Sequence, residues 1–170
     1  MTSAVGEQKS DTEAALYAGA IATGVVALLP YVNVLIFPCY VIGPIVAVWF
    51  AVSKRAQSLT SKEAAKLGFL SAFFGSMAAV VIADIIWQFF DYQLWQRQNA
   101  QLMIAIFRSF ASQSTVDAVS TAMEQNVGKP FAWYMIIVQA IINAIMAGIF
   151  GTVAGLLAGK ALAKQARAAI

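Results

Sequence analysis

The chain has 170 residues, of which 61% are hydrophobic and only 11% are charged, and its formal net charge is +3. Soluble domains carry about 25% charged residues, so this composition excludes an ordinary soluble domain. The small positive charge is not a nucleic-acid signal. The chain has no histidine and one cysteine, Cys39, which excludes histidine metal sites, histidine general bases and intramolecular disulfides.

The first 13 residues are polar and slightly acidic. They lack the basic start and apolar centre of a secretory signal. We therefore expect residues 1–13 to form a short disordered cytoplasmic tail.

An uncharged run then extends from residue 14 to residue 52. As one helix it would be roughly 60 Å long, twice the roughly 30 Å hydrocarbon core of a bilayer. Pro30 and Pro38 both disfavour continuous helix, so we predict two short spans, residues 14–29 and 38–53, with Gly43-Pro44 kinking the second. A re-entrant hairpin that does not fully cross is the alternative. Cys39 is interpreted as a small buried apolar residue.

A polar, basic loop over residues 54–66 leads to the third predicted span, residues 66–90. Ser61 is a candidate N-cap for this helix. Small side chains recur along the span and predict close helix packing; they are Gly68, Ala72, Ser76, Ala79 and Ala83.

The segment between the third and fourth spans, residues 91–130, has helical amphipathic periodicity in two parts. Leu102, Ile106 and Phe110 repeat every four residues. Further along the chain, Val116 and Val119 again have a helical spacing. We predict two amphipathic interfacial helices, the second capped by Ser114 or Thr115. The segment is either a partner-docking surface or a covered loop that separates the two spans.

The fourth predicted span, residues 131–159, has the strongest pattern in the chain, with a small or polar residue every four positions. Glycines spaced in this way allow another helix to approach closely. The pattern leaves open whether that helix belongs to the same chain or to a second copy. The predicted packing residues are Gly148, Gly151, Gly155 and Gly159, and residues 160–170 follow as a basic cytoplasmic tail.

Charge and aromatic residues both predict the orientation. Most lysines and arginines fall in the two tails and the 54–66 loop, which places both termini in the cytoplasm by the positive-inside rule. In that orientation an aromatic belt marks the outer boundary; its members are Tyr31, Tyr40, Trp87, Tyr92, Trp95, Trp133 and Tyr134.

Asp84 is the one ionisable residue well inside a predicted span. A buried carboxylate is costly in a bilayer and should face protein or water. We predict a polar intramembrane cluster of Asp84, Gln88, Gln139 and Asn143, with Asp84 acting as a structural clasp between two helices. An ion or proton site, or a lipid or cofactor contact, are the alternatives.

No motif of a hydrolase, nucleotide-binding protein or metalloenzyme occurs in the chain, so we expect neither an enzyme nor a cofactor nor a metal. The layout of a short hairpin, a basic loop and two spans around an amphipathic segment resembles that of small uncharacterised four-span proteins of the bacterial inner membrane. This resemblance implies a multi-pass inner-membrane location and no particular activity.

The sequence therefore predicts an all-α integral membrane protein with four transmembrane helices. We expect it to act as an accessory or scaffolding subunit, in association with itself or with other proteins in the bilayer. A small ion- or proton-linked transporter that uses Asp84 is the alternative.

Overall fold

A computed structural model describes residues 2–29, 37–55, 59–90, 96–126 and 133–168. These ranges are helical apart from short links, which confirms the all-α prediction for the described part of the chain. The helices are α1 (Thr2–Ala27), α2 (Phe37–Arg55), α3 (Ser61–Phe90), α4 (Gln96–Arg108), α5 (Gln113–Asn126), α6 (Trp133–Met146) and α7 (Thr152–Ala168). A π-helical turn, Ala147–Gly151, joins α6 to α7, and we call the continuous element from α6 to α7 the C-terminal helix.

The N-terminal tail differs from expectation. Helix α1 begins at Thr2, so the segment predicted to be disordered is helical. Once the apolar part of α1 is helical, each further residue adds a hydrogen bond without a new nucleation cost, and no proline intervenes before Pro30. For the same reason α7 continues through the basic residues to Ala168.

Helix α3 begins with a capping box. Thr60, rather than the predicted Ser61, is its N-cap: the Glu63 backbone N–H donates to Thr60 Oγ1 at 3.3 Å, and the Thr60 backbone N–H donates to Glu63 Oε2 at 2.9 Å. This reciprocal pair satisfies two amide donors at the helix start. It extends α3 five residues before the predicted span, to the full range Ser61–Phe90.

The helices form an up-down-up-down bundle. Gly19 of α1 lies against Ala47 of α2, and Thr23 lies against Gly43, so α1 and α2 are antiparallel. Gly68 of α3 meets Gly155 of α7 while Ala64 meets Gly159, which makes this pair antiparallel as well. Among the described residues, α2 and α3 lie between α1 and the C-terminal helix.

The α4–α5 hairpin confirms the two predicted amphipathic helices between the third and fourth long helices. Its cap is Ser112, not Ser114 or Thr115: the Ser112 Oγ accepts from the Thr115 backbone N–H at 3.4 Å. Helices α4 and α5 pack on each other, and in the described part of the chain neither packs extensively on the bundle.

The bundle is apolar outside and small or polar inside. The buried positions are mostly alanine, glycine, serine and threonine, while large apolar side chains are exposed, such as Ile21 (66%), Phe74 (51%) and Leu157 (62%). Contiguous apolar surface on this scale is rare in soluble monomers. Two helices, Ser61–Phe90 and Ile136–Gln165, are long and apolar enough to cross a membrane, and Pro38–Lys54 is a shorter apolar helix.

Candidate functional site

A hydrogen-bonded group of side chains lies inside the bundle, where α2, α3 and α6 meet; we call it the polar layer. Asn143 is its centre and is 2% exposed. The Tyr40 hydroxyl donates to Asn143 Oδ1 at 2.6 Å, and Gln139 Nε2 donates to the same oxygen at 3.3 Å. Asn143 Nδ2 lies 3.4 Å from Met77 Sδ, which accepts weakly. Both ends of the buried amide are therefore used.

Two further hydroxyl groups lie in the same part of the bundle. Ser76 is buried, and its hydroxyl donates to the Phe73 carbonyl at 3.0 Å. Thr23 of α1 is fully buried against Gly43, and its hydroxyl has no partner among the described residues.

Both α2 and the C-terminal helix have a backbone irregularity next to the polar layer. Pro44 lies inside α2 and has no N–H to donate to the carbonyl of Tyr40, four residues earlier. The π-helical turn Ala147–Gly151 starts four residues after Asn143. Such turns widen a helix locally and often occur at functional positions. Tyr40 and Asn143 are thus each presented from a helix that departs from regular geometry within one turn.

The helix register places this layer near the middle of the apolar stretch of α3. Met77, the α3 residue that contacts Asn143, lies close to the centre of residues 67–90. We had expected Asn143 to lie at the depth of Asp84. Asp84 is seven residues further along α3 than Met77, roughly 10 Å along the axis. The glycine contacts between α3 and α7 therefore set a different axial register between these two helices from the one that we expected.

Asp84 and Gln88 lie outside the polar layer. Asp84 is half-buried and forms no hydrogen bond with any described residue, and Gln88 is exposed. Of the four residues predicted to cluster, the structure joins only Gln139 and Asn143 to each other. Asp84 forms no hydrogen bond with Gln139 or Asn143 in the described structure, because it lies about two turns further along α3 than Met77, the residue that contacts Asn143.

Tyr40 was predicted to anchor the outer aromatic belt, and this interpretation is wrong. Its side chain is 6% exposed and bonds to Asn143 inside the bundle. A tyrosine near the end of an apolar run fits either position, and the sequence pattern did not distinguish them. The side chains of the other belt residues lie outside the described part of the structure. Cys39, predicted to be buried, is 3% exposed.

Three of the four predicted packing glycines contact α3 of the same chain. A Cβ atom at Gly151 would lie 2.8 Å from Ala72 Cβ, and one at Gly159 would lie 2.9 Å from Ala64 Cβ. At Gly155 it would lie 3.0 Å from Gly68 Cα and would overlap the Ala64 carbonyl oxygen. Gly148 is exposed, with no atom within 4 Å of such a Cβ. Gly151, Gly155 and Gly159 therefore form an intramolecular contact with α3, and Gly148 does not take part in it.

Glycines in the first half of the chain form two more close contacts that we did not predict. Gly19 and Gly43 lie where α1 crosses α2, and Gly24 and Gly75 lie where α1 crosses α3. The signal for them was present as single glycines in otherwise apolar helices, but without a four-residue repeat.

The described residues contain no group of three or more histidine, cysteine, aspartate or glutamate side chains that could hold a metal ion. Comparison with protein-family models, with curated proteins and with solved structures finds no match to this chain.

Proposed function

We propose that this chain is a non-enzymatic four-span membrane protein that serves as an accessory or scaffolding subunit, and that the α4–α5 hairpin is its docking element. The observation that carries the proposal is the contrast between this hairpin and the bundle. The small-residue surfaces of the bundle are occupied by its own helices, whereas α4 and α5 pack chiefly on each other.

Membrane insertion is supported by the distribution of side chains. Helix association in lipid depends on close packing and interhelical hydrogen bonds, because lipid tails are as apolar as leucine. The bundle has both features, in its glycine contacts and its polar layer. Exposed isoleucine, valine and phenylalanine side chains cover its outside. Four antiparallel helices of this kind favour four spans over a re-entrant hairpin.

The hairpin offers apolar side chains that its own fold does not bury. Phe110 is 70% exposed and contacts Phe107 at a ring-centroid distance of 5.4 Å, whereas Val116 is 2% exposed. The Ser112 hydroxyl is within 3.0 Å of Ser114 Oγ and 2.9 Å of Thr115 Oγ1, which defines the turn between the helices. A defined turn with exposed aromatic residues suits a partner at the membrane surface.

We place the protein in a bacterial inner membrane, with both termini and the α2–α3 link in the cytoplasm and the hairpin outside. The up-down-up-down order brings the start of α1, the end of α7 and the start of α3 to one end of the bundle. The basic residues of that end, such as Lys62, Lys66, Lys160 and Lys164, suit the cytoplasmic side.

Cysteine labelling tests this topology. After Cys39 is replaced by serine, Gln165→Cys should react only with reagent from the cytoplasm and Ser112→Cys only with reagent from outside. Labelling of Ser112→Cys from the cytoplasm would overturn the orientation. Failure of the protein to float with vesicles would overturn membrane insertion itself.

Extraction in mild detergent tests the docking role. Wild-type protein should elute in a complex much larger than the 18.2 kDa protomer with its micelle. Phe110→Ala should shift it to the protomer, whereas Phe74→Ala, an equally apolar change on an exposed part of the bundle, should not. A wild-type protein that is strictly monomeric would contradict the proposal.

A second candidate function, an ion- or proton-linked transporter, is favoured by Asp84. A carboxylate in the apolar stretch of α3 costs about 2.5–3.5 kcal/mol on insertion scales, and no described residue bonds to it. We would measure proton and sodium flux in liposomes. Transport would be supported if the wild type shows flux and Asp84→Asn abolishes this flux without changing the unfolding of the protein. Absence of flux in the wild type would exclude transport of these ions.

A further inference from the structure

A pocket opens at the end of the bundle where α1, α2 and α3 come together, far from the polar layer. Its volume is about 300 Å³, which is at the small end of ligand sites. Leu16, Leu67 and Leu70 form its apolar floor, and Glu13, Glu63 and Lys66 form its charged rim.

The position of the pocket along the helices corresponds to a bilayer boundary. Glu13 is the last charged residue before the uncharged run of α1 and α2, and Lys66 is the last before the uncharged part of α3. The leucines of the floor follow directly on both helices. In an inserted protein the rim therefore lies at headgroup level and the floor faces the first acyl carbons.

The rim carries both signs of charge. Glu13 and Lys66 are exposed side chains on neighbouring parallel helices. Glu63 Oε2 accepts bonds from the Thr60 backbone N–H and the Thr60 hydroxyl, which fixes the Glu63 carboxylate at the pocket edge. A ligand that matches this rim needs a cationic donor for Glu13, an anionic acceptor for Lys66 and an apolar tail.

We propose that this pocket binds a phospholipid whose headgroup carries both a phosphate and a primary amine, the chemistry of phosphatidylethanolamine. Lys66 contacts the phosphate, Glu13 accepts from the ammonium group, and the leucines contact the start of an acyl chain. A quaternary ammonium has no N–H to donate to the Glu13 carboxylate, so the site discriminates against phosphatidylcholine. The inference rests on the membrane insertion proposed above.

Native mass spectrometry of the full chain in detergent micelles tests the site, with phosphatidylethanolamine, phosphatidylcholine or phosphatidylglycerol titrated in turn. Wild-type protein should bind phosphatidylethanolamine about fivefold more tightly than phosphatidylcholine, the factor that one hydrogen bond of ordinary net strength supplies. Glu13→Gln should remove that preference. Lys66→Gln should weaken the binding of phosphatidylethanolamine and of phosphatidylglycerol to the same extent.

Charge-matched controls are available on the same helices. Lys62→Gln and Asp11→Asn each remove one charge outside the pocket lining and should leave the preference intact. Equal binding of phosphatidylethanolamine and phosphatidylcholine by wild type would overturn the proposal, as would an equal loss in the controls. If the protein floats with vesicles but shows no lipid preference, the proposed lipid site is refuted and the proposed membrane insertion is not.

Discussion

The C-terminal helix is joined to the bundle in two different ways along its length. In its second half, Gly151, Gly155 and Gly159 allow the C-terminal helix to touch the backbone of α3. About two to four turns earlier, Asn143 of α6 is held through a side-chain hydrogen bond to α2 and a contact to Met77 of α3. The glycine contact depends on the small size of glycine, which lets the two backbones approach, and the polar layer depends on hydrogen bonds between side chains.

In the membrane protein proposed above, no hydrophobic driving force acts between the helices, so these two contacts would specify the bundle. The glycine contact gives close packing and fixes the register, because Gly68 and Gly155 allow only a narrow range of axial positions. The polar layer fixes which faces of α2 and α6 meet, since the hydrogen bonds of the Asn143 amide are complete only when Tyr40 of α2 lies opposite. The two contacts should therefore respond differently to substitution.

The glycine contact should give the largest effect. Gly155→Ala places a methyl group against Gly68 Cα and the Ala64 carbonyl, neither of which can move without separating the helices. We expect a loss of about 2 kcal/mol of unfolding free energy, within the range for overpacked sites, measured by SDS titration of detergent-solubilised protein. Gly148→Ala, where the methyl group meets open space, is the control and should leave stability unchanged or raise it by up to about 1 kcal/mol. Equal effects of both would refute the contact.

Removal of the central amide should have the next largest effect. Asn143→Leu leaves the Tyr40 hydroxyl and the Gln139 amide without their acceptor. The expected cost is between about 0.6 and 2 kcal/mol, the range for interhelical polar contacts in membranes. The same titration measures it. If Asn143→Leu were as stable as wild type, the polar layer would not stabilise the bundle.

Tyr40→Phe should cost less, about 0.6 kcal/mol, because it removes one donor and keeps the aromatic ring. A double-mutant cycle with Asn143→Leu isolates the pair. We expect the double variant to be no less stable than Asn143→Leu alone, since the bond is already absent there. Strictly additive losses would show that the 2.6 Å hydrogen bond is not formed.

The smallest effect is expected at Thr23, whose buried hydroxyl is not part of the polar layer. Thr23→Val keeps the shape and removes an oxygen that has no partner among the described residues. Replacing an unpaired buried polar group should be nearly neutral or slightly stabilising. A clear destabilisation would mean that the Thr23 hydroxyl carries a hydrogen bond and that the polar layer extends to α1.

Local patterns were enough to find most of the helices and one of the two contacts. The glycines of α7 were recognisable by their four-residue spacing, and the two amphipathic helices by theirs. The polar layer was predicted only for Gln139 and Asn143. Its third member, Tyr40, was assigned to the membrane surface, because the residue opposite Asn143 depends on the register between helices that are about a hundred residues apart in sequence.

What the sequence by itself determined is the class of protein: long uncharged runs, proline-bounded helices and small-residue spacing are properties of single segments. The tertiary structure alone decided which surfaces are used. It packed Gly151, Gly155 and Gly159 against α3 and placed Asn143 against Tyr40 rather than Asp84. Among the described residues, it packed α4 and α5 chiefly on each other. The physical reason is that helix propensity and hydropathy act within a segment, whereas register and pairing depend on atoms that only the folded bundle brings into contact.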